Sequence, residues 1–149
     1  MNNLFNQNDA AGILLRLEQL PANAQRQWGK MNVNQMLAHC IASLETAMGR
    51  NFPKRVLMGR ILGRFMKAGI VSEQPMPKNS PTDKSYIITG SPDFETEKAK
   101  VMELIKAFCA GGPEKCTTHP QAFFGKMTPQ EYAIMQWKHF DHHLRQFGA

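Results

Sequence analysis

Histidines are concentrated towards the C-terminal end of this chain. Four of the five lie at or after residue 119, and three of these are His139, His142 and His143. His139 and His143 are four residues apart, so on a helix they stand one turn apart on the same face. Two imidazoles placed in this way can bind one metal ion without a flexible loop. The spacing therefore predicts a metal site on a C-terminal helix.

A helical wheel, drawn at about 100° per residue, assigns this pair to a face of the helix. Their sector is polar but uncharged and also contains Tyr132, Gln136 and Gln146. The opposite sector contains the charged residues Glu131, Lys138, Asp141 and Arg145. We therefore expect the pair to face the interior, where a polar group without a partner costs about 1–3 kcal/mol. His142 lies at the edge of the sector and is a less natural ligand, so we assign it to the surrounding pocket with Tyr132.

An earlier predicted helix offers a third imidazole. His39 lies beside an apolar stripe, and Ser43 follows one turn later on the same edge. Three histidine ligands would leave coordination positions for water or substrate, as in catalytic metal sites. The histidine sector contains no carboxylate, so Gln146 or Ser43 would orient the ligands. The alternative is a polar seam in which the histidines bind no metal.

The cysteines do not form a recognisable motif. Cys109, Cys116 and His119 do not have the spacing of a zinc knot, and we expect His119 to make hydrogen bonds in a loop. Cys40 lies about 100° around the helix from His39, which favours packing over ligation. An odd number of cysteines without a disulfide pattern, and no secretory signal, lead us to expect reduced thiols in a cytoplasm.

The remaining elements predict an all-α protein. The chain has 149 residues, which suits a single domain covering residues 1–149. Helix signals cover residues 8–20, 32–49, 93–110 and 128–147, and a shorter helix covers 56–70. Asn32 with Gln35, and Thr128 with Glu131, have the spacing of capping boxes. We expect a four-helix bundle with an extra short helix and an extended loop between its second and third helices.

Positive charge is concentrated in one segment. The net charge is +6, and no acidic residue lies between Glu45 and Glu73. That window contains six cations: Arg50, Lys54, Arg55, Arg60, Arg64 and Lys67. Two interpretations remain open. One is a patch for nucleic acid or an anionic membrane. The other, which we favour, is a surface helix whose apolar residues pack on the domain or on a second subunit.

The interpretation of residues 56–70 as a packed surface helix determines which partners we expect. The apolar stripe of this helix consists of Ile61, Leu62, Phe65 and Met66. No stacking series of aromatic residues accompanies the cations, so we do not expect nucleic-acid binding through residues 50–67. The chain has no apolar run of the roughly 18–20 residues that a spanning helix needs, and we expect no membrane partner. A homodimer remains an open alternative.

Several motifs resemble a known superfamily. The run His139-x-x-His142-His143-x-x-Gln146 and the step Met36-Leu37-Ala38-His39 resemble the DinB/YfiT-like superfamily, whose members are regarded as candidate metalloenzymes. A DinB-like bacterial family of unknown function is more similar still, over nearly the whole chain. Its further motifs are Trp28-Gly29-Lys30-Met31, Pro75-x-Pro77-Lys78-Asn79, His119-Pro120, Phe124-Gly125 and His142-His143-Leu144-Arg145-Gln146-Phe147-Gly148.

The resemblance implies a function as well as a fold. It implies a four-helix bundle that binds a divalent metal, zinc or nickel, through His39, His139 and His143. The superfamily includes thiol-dependent transferases and isomerases that use low-molecular-weight thiols, although many members have no demonstrated activity. Three neutral ligands would leave the charge of the ion uncompensated, which suits a thiol transferase or a hydrolase that acts on a small molecule or a thiol. We therefore expect a metal-binding protein and leave its catalytic status open.

Overall fold

The computed structural model describes residues 1–80 and 82–149, and of Arg64 only the backbone. Pro81 of the proline-rich segment and the side chain of Arg64 in the basic segment lie outside the described residues. The described chain is helical and has no β-strand, apart from an isolated bridge between Gln121 and Gly125. The α-helices are α1 (Gln7–Gln19), α2 (Val33–Ala47), α3 (Leu57–Ile70), α4 (Phe94–Gly111) and α5 (Pro129–Gln146). Short 3-10 helices cover Lys84–Tyr86 and Pro113–Lys115.

The helix ends follow from local capping chemistry. The Asn32 side chain accepts a hydrogen bond from the Gln35 amide, and the Gln35 side-chain oxygen accepts one from the Asn32 amide. Thr128 and Glu131 form the same capping box at the start of α5. Each pair satisfies amide groups that a helix leaves without partners in its first turn. Both predicted capping boxes are confirmed, and the expected all-α class is confirmed with them.

Four helices pack around one apolar core. α2 contacts both α4 and α5, and α1 contacts the same two helices. The largest fully buried apolar side chains come from all four: Ile13, Leu17, Met36, Leu37, Leu44, Ile105, Tyr132, Phe140 and Leu144. The contact between α2 and α5 matters most for function, because it brings His39 towards the paired histidines. None of the described helices combines the length and the apolarity that crossing a bilayer requires.

Helix α3 is held against the backbone at Phe123 by its glycines. A Cβ atom at Gly59 or at Gly63 would overlap the carbonyl oxygen of Phe123, so only glycine permits this approach between two backbones. Lys67 adds an ion pair of 2.9 Å with Glu131 at the start of α5. The apolar side of α3 consequently points outward. Of the two partners expected for its apolar stripe, packing on its own domain is wrong, and packing on a second subunit stays a prediction.

Part of the charged sector of α5 is also buried, contrary to the wheel. Asp141 forms an ion pair of 2.8 Å with Arg16 of α1. The Lys138 ammonium donates to the Ser72 carbonyl at 2.8 Å. Both side chains are buried because these partners replace water around the charge. Helical periodicity predicts which residues share a face, but it does not predict which charged side chains form ion pairs or hydrogen bonds in the interior.

Candidate metal centre

Three histidines from two helices converge in the interior. His39 lies on α2, and His139 and His143 lie one turn apart on α5. One ring nitrogen from each lies within 4.8 Å of the others. The Nε2 atoms of His39 and His139 are 2.9 Å apart, and the ring centroid of His143 is 4.9 Å from that of His39. The three histidines are therefore close enough to hold one metal ion.

The hydrogen bond on the far side of the His39 ring determines its tautomer. Its Nδ1 lies 2.9 Å from the carbonyl oxygen of Tyr86. A carbonyl oxygen only accepts, so the proton of the neutral ring must be on Nδ1. The Nε2 atom then carries the lone pair and lies 2.9 Å from Nε2 of His139. This arrangement, with one ring nitrogen bonded to the protein and the other available, is typical of histidine metal ligands.

His143 is oriented by a chain of two hydrogen bonds. Its Nδ1 lies 2.8 Å from Oε1 of Gln146, and Nε2 of Gln146 donates to the Trp28 carbonyl at 2.7 Å. Because Nε2 of Gln146 donates to the Trp28 carbonyl, it is Oε1 of Gln146 that faces the imidazole. The imidazole of His143 must then donate from Nδ1. Gly29 makes room for this contact, because a Cβ there would lie 2.5 Å from Gln146 Nε2. His143 therefore also presents a free Nε2.

Burial keeps these imidazoles neutral. Burial lowers the pKa of His143 to about 3, and the nearby His39 contributes to the same shift. Burial likewise lowers the pKa of His39, and it lowers that of His139, where the neighbouring histidines add to the effect. His139 is partly exposed as a whole residue, but its Nδ1 is buried without a hydrogen-bond partner in the described residues. Neutral rings at pH 7 are the form that binds metal.

The other predicted pocket residues lie around the histidines in different ways. The Ser43 hydroxyl lies 3.1 Å from the Gln136 side-chain amide, and the Tyr132 hydroxyl donates to the His119 carbonyl at 3.0 Å. The His142 ring lies 5.0 Å from that of His143, measured between centroids. The His142 ring is therefore in contact with one of the three histidines, although His142 does not contribute one of the converging nitrogens.

Segments distant in sequence meet beside the cluster. The Trp28 ring meets His142 edge-on at 5.6 Å between centroids, and the Lys78 ammonium lies 4.2 Å from the centre of the Trp28 ring. Sequence reasoning missed the backbone carbonyls of Trp28 and Tyr86 as hydrogen-bond partners. Every residue has a backbone carbonyl, so the residue type does not reveal which carbonyl will bind a side chain. Of the two segments, only the one around Trp28 and Gly29 belonged to a motif noted in the sequence.

Among the described residues, carboxylates and thiols do not join the three histidines. The Asp141 carboxylate is engaged by Arg16 and by Arg145. Cys40 is buried next to Met36, and burial raises the pKa of its thiol. Cys109, Cys116 and His119 form no metal-binding group within the part of the chain that the structure describes. The donor set is therefore three neutral nitrogens, which fits a divalent ion of borderline softness.

Comparison with known proteins gives a family. The chain matches the family described as "Protein of unknown function (DUF1569)" over residues 3–149. Because the match covers nearly the whole chain, the protein belongs to this family. No match was found among curated proteins or among solved structures.

Proposed function

We propose that this protein binds one divalent metal ion, zinc or nickel, through His39, His139 and His143. The supporting observation is the convergence of one ring nitrogen from each histidine within 4.8 Å. The tautomers of His39 and His143 support it further, because the Nδ1 hydrogen bonds leave the lone pair of each neutral ring on Nε2. In this proposal residues 1–149 form one DinB/YfiT-like domain, in which α1, α2, α4 and α5 make a four-helix bundle, in the cytoplasm of a bacterium.

The donor set also favours a class of chemistry. Three neutral ligands would leave the charge of a bound ion uncompensated, which lowers the pKa of a water or thiol bound to it. The chain itself contributes orientation: Gln146 and the Tyr86 carbonyl hold two of the rings. The cluster offers no carboxylate as a general base. We therefore propose transfer of a low-molecular-weight thiol, or hydrolysis, as the reaction class.

A second candidate is a bundle without metal or catalysis. It is favoured by the distance of 2.9 Å between the Nε2 atoms of His39 and His139, which also suits a hydrogen bond if His139 donates. The histidines would then complete a polar seam between α2 and α5. This candidate predicts that neither metal nor chelator changes the melting temperature.

Metal uptake by purified, untagged protein separates the two candidates. The protein is stripped with chelator, incubated with zinc or nickel, desalted and analysed for its metal content. We expect one ion per chain in the wild type and none in His139→Ala or His143→Ala. His119→Ala is the matched control, because this exposed histidine lies outside the cluster. Equal uptake by all four proteins, or none by the wild type, would reject the metal site.

A further inference from the structure

Helix α3 leaves a continuous apolar face uncovered. Six of its large apolar side chains are between 44% and 76% exposed: Leu57, Met58, Ile61, Leu62, Phe65 and Met66. At about 100° per residue they cover roughly half of the helix circumference. The glycines on the other side face the body of the protein, so no rotation of the helix is needed to present this face. An exposed apolar patch of this kind marks an interaction surface.

The cations of the segment that contains α3 divide into two groups. Lys67 is paired with Glu131, and a guanidinium nitrogen of Arg55 donates to the Gly59 carbonyl at 3.1 Å, so both hold α3 in position. Arg50, Lys54 and Arg60 are exposed. Within residues 1–80 and 82–149 none of these three has a side-chain hydrogen bond or an ion pair. They are available to an anionic partner.

The partner must match both the apolar face and the charge. A second copy docked through the same face would bring together two sets of these three exposed cations, in segments that contain no acidic residue. Nucleic acid would satisfy the cations through its phosphates, but leaves most of the apolar face in contact with water. The surface of an anionic bilayer offers negative headgroups and an apolar layer beneath them, as in-plane amphipathic helices require. Charge complementarity therefore favours the lipid surface.

We propose that α3 docks in the plane of an anionic phospholipid surface. Its apolar face enters the boundary between headgroups and acyl chains, while Arg50, Lys54 and Arg60 contact the phosphates. This binding is peripheral and needs no spanning helix. It departs from the expectation of no membrane partner, which rested on the lack of an apolar run long enough to span a bilayer.

Vesicle sedimentation with the protein of residues 1–149 tests this proposal. Vesicles of phosphatidylcholine alone are compared with vesicles containing equal parts of phosphatidylcholine and phosphatidylglycerol. We expect binding to the mixed vesicles only, and weaker binding as the salt concentration rises. The double variant Ile61→Ser, Phe65→Ser should bind at least about tenfold more weakly, because it removes two large inserted side chains. Leu15→Ser is the matched control, since Leu15 is 54% exposed on α1 and should change nothing.

Two further measurements make each outcome decisive. The double variant should keep the circular dichroism and melting temperature of the wild type, because the replaced side chains are exposed. Lys54→Gln with Arg60→Gln should weaken binding to the mixed vesicles. Equal binding to both vesicle types, or binding to neither, overturns the proposal. Absence of vesicle binding together with a dimer that the double variant dissociates would assign the face to a second copy instead.

Discussion

At the scale of single residues, the hydrogen bond at Nδ1 of an imidazole determines whether its Nε2 can bind a metal ion. His39 and His143 each donate from Nδ1, to the Tyr86 carbonyl and to Gln146 respectively. These bonds hold the rings in place and leave Nε2 unprotonated. His139 has no such bond on its buried Nδ1 within the described residues. The two oriented rings therefore carry most of the preorganisation of the site.

Replacing Gln146 tests this orienting role. In Gln146→Ala the imidazole of His143 loses the acceptor that fixes its tautomer, while the three proposed ligands remain. We expect zinc affinity to fall by about 10–100-fold, measured by competition with a chelating dye. Gln130→Ala, an exposed glutamine on the same helix, should bind like the wild type. Unchanged affinity in Gln146→Ala would show that the hydrogen bond does not support the ligand.

The buried imidazoles also predict how stability depends on pH. Burial lowers the pKa of His143 from 6.5 to about 3, so below pH 6.5 the unfolded chain binds this proton more readily than the folded chain. Stability is therefore complete above pH 6.5 and falls as the pH drops towards 3. At pH 5 the loss from this one residue is about 2 kcal/mol.

Urea unfolding of the metal-free protein at pH 7.5 and at pH 5 measures this loss. His143→Gln should lose less stability between the two pH values than the wild type, by about 2 kcal/mol. His119→Ala should follow the wild type, because its ring is exposed. An identical pH dependence in His143→Gln and the wild type would contradict the depressed pKa.

At the scale of elements, α3 shows how a close backbone contact can orient a helix. Gly59 and Gly63 lie against the carbonyl of Phe123, and this contact turns the apolar side outward. Gly69, on the same helix, has open space where its Cβ would be. The two kinds of glycine should therefore respond in opposite ways to the same substitution.

Gly63→Ala and Gly69→Ala form a matched pair. Gly63→Ala should destabilise the docking of α3 by about 1–3 kcal/mol, because the new methyl group overlaps backbone that cannot move aside easily. Gly69→Ala should be neutral or stabilise the helix by up to about 1 kcal/mol. Hydrogen exchange of the α3 amides reports the docking directly. Faster exchange in Gly69→Ala but not in Gly63→Ala would contradict the glycine contact.

The helices and the histidine cluster could be predicted because their signals are local. The capping pair Asn32 and Gln35 marks one helix start, and the spacing of His139 and His143 is a property of one helix. The third histidine was within reach because His39 sits next to an apolar stripe, which identifies the face that packs. Each of these inferences needs only helical periodicity and residue type.

The rest could not be predicted because it depends on contacts between distant segments. The Tyr86 carbonyl reaches His39 from a segment that we expected to be an extended loop, although Tyr86 ends a 3-10 helix. The orientation of α3 depends on the backbone of Phe123, which no pattern within α3 reveals. Burial of Asp141 likewise depends on Arg16, which is 125 residues away in the chain.

At the scale of the whole molecule, the proposed ion would link two helices. His39 belongs to α2 and the other two ligands belong to α5, so binding should oppose separation of the helices. A ligand that binds only the folded state stabilises it by about 2.7 kcal/mol at a free concentration of 100 times its Kd. We expect zinc to raise the melting temperature of the wild type and not that of His39→Ala. A similar rise in both proteins would place the ion elsewhere.

The most direct test of the account is X-ray absorption spectroscopy of the zinc-loaded protein. It reports the number and type of atoms bound to the ion. We expect three imidazole nitrogens at about 2.0–2.1 Å and no sulfur, with one imidazole lost in His39→Ala. A sulfur ligand at about 2.3 Å, or fewer than three imidazoles in the wild type, would contradict the central claim that His39, His139 and His143 together bind the metal.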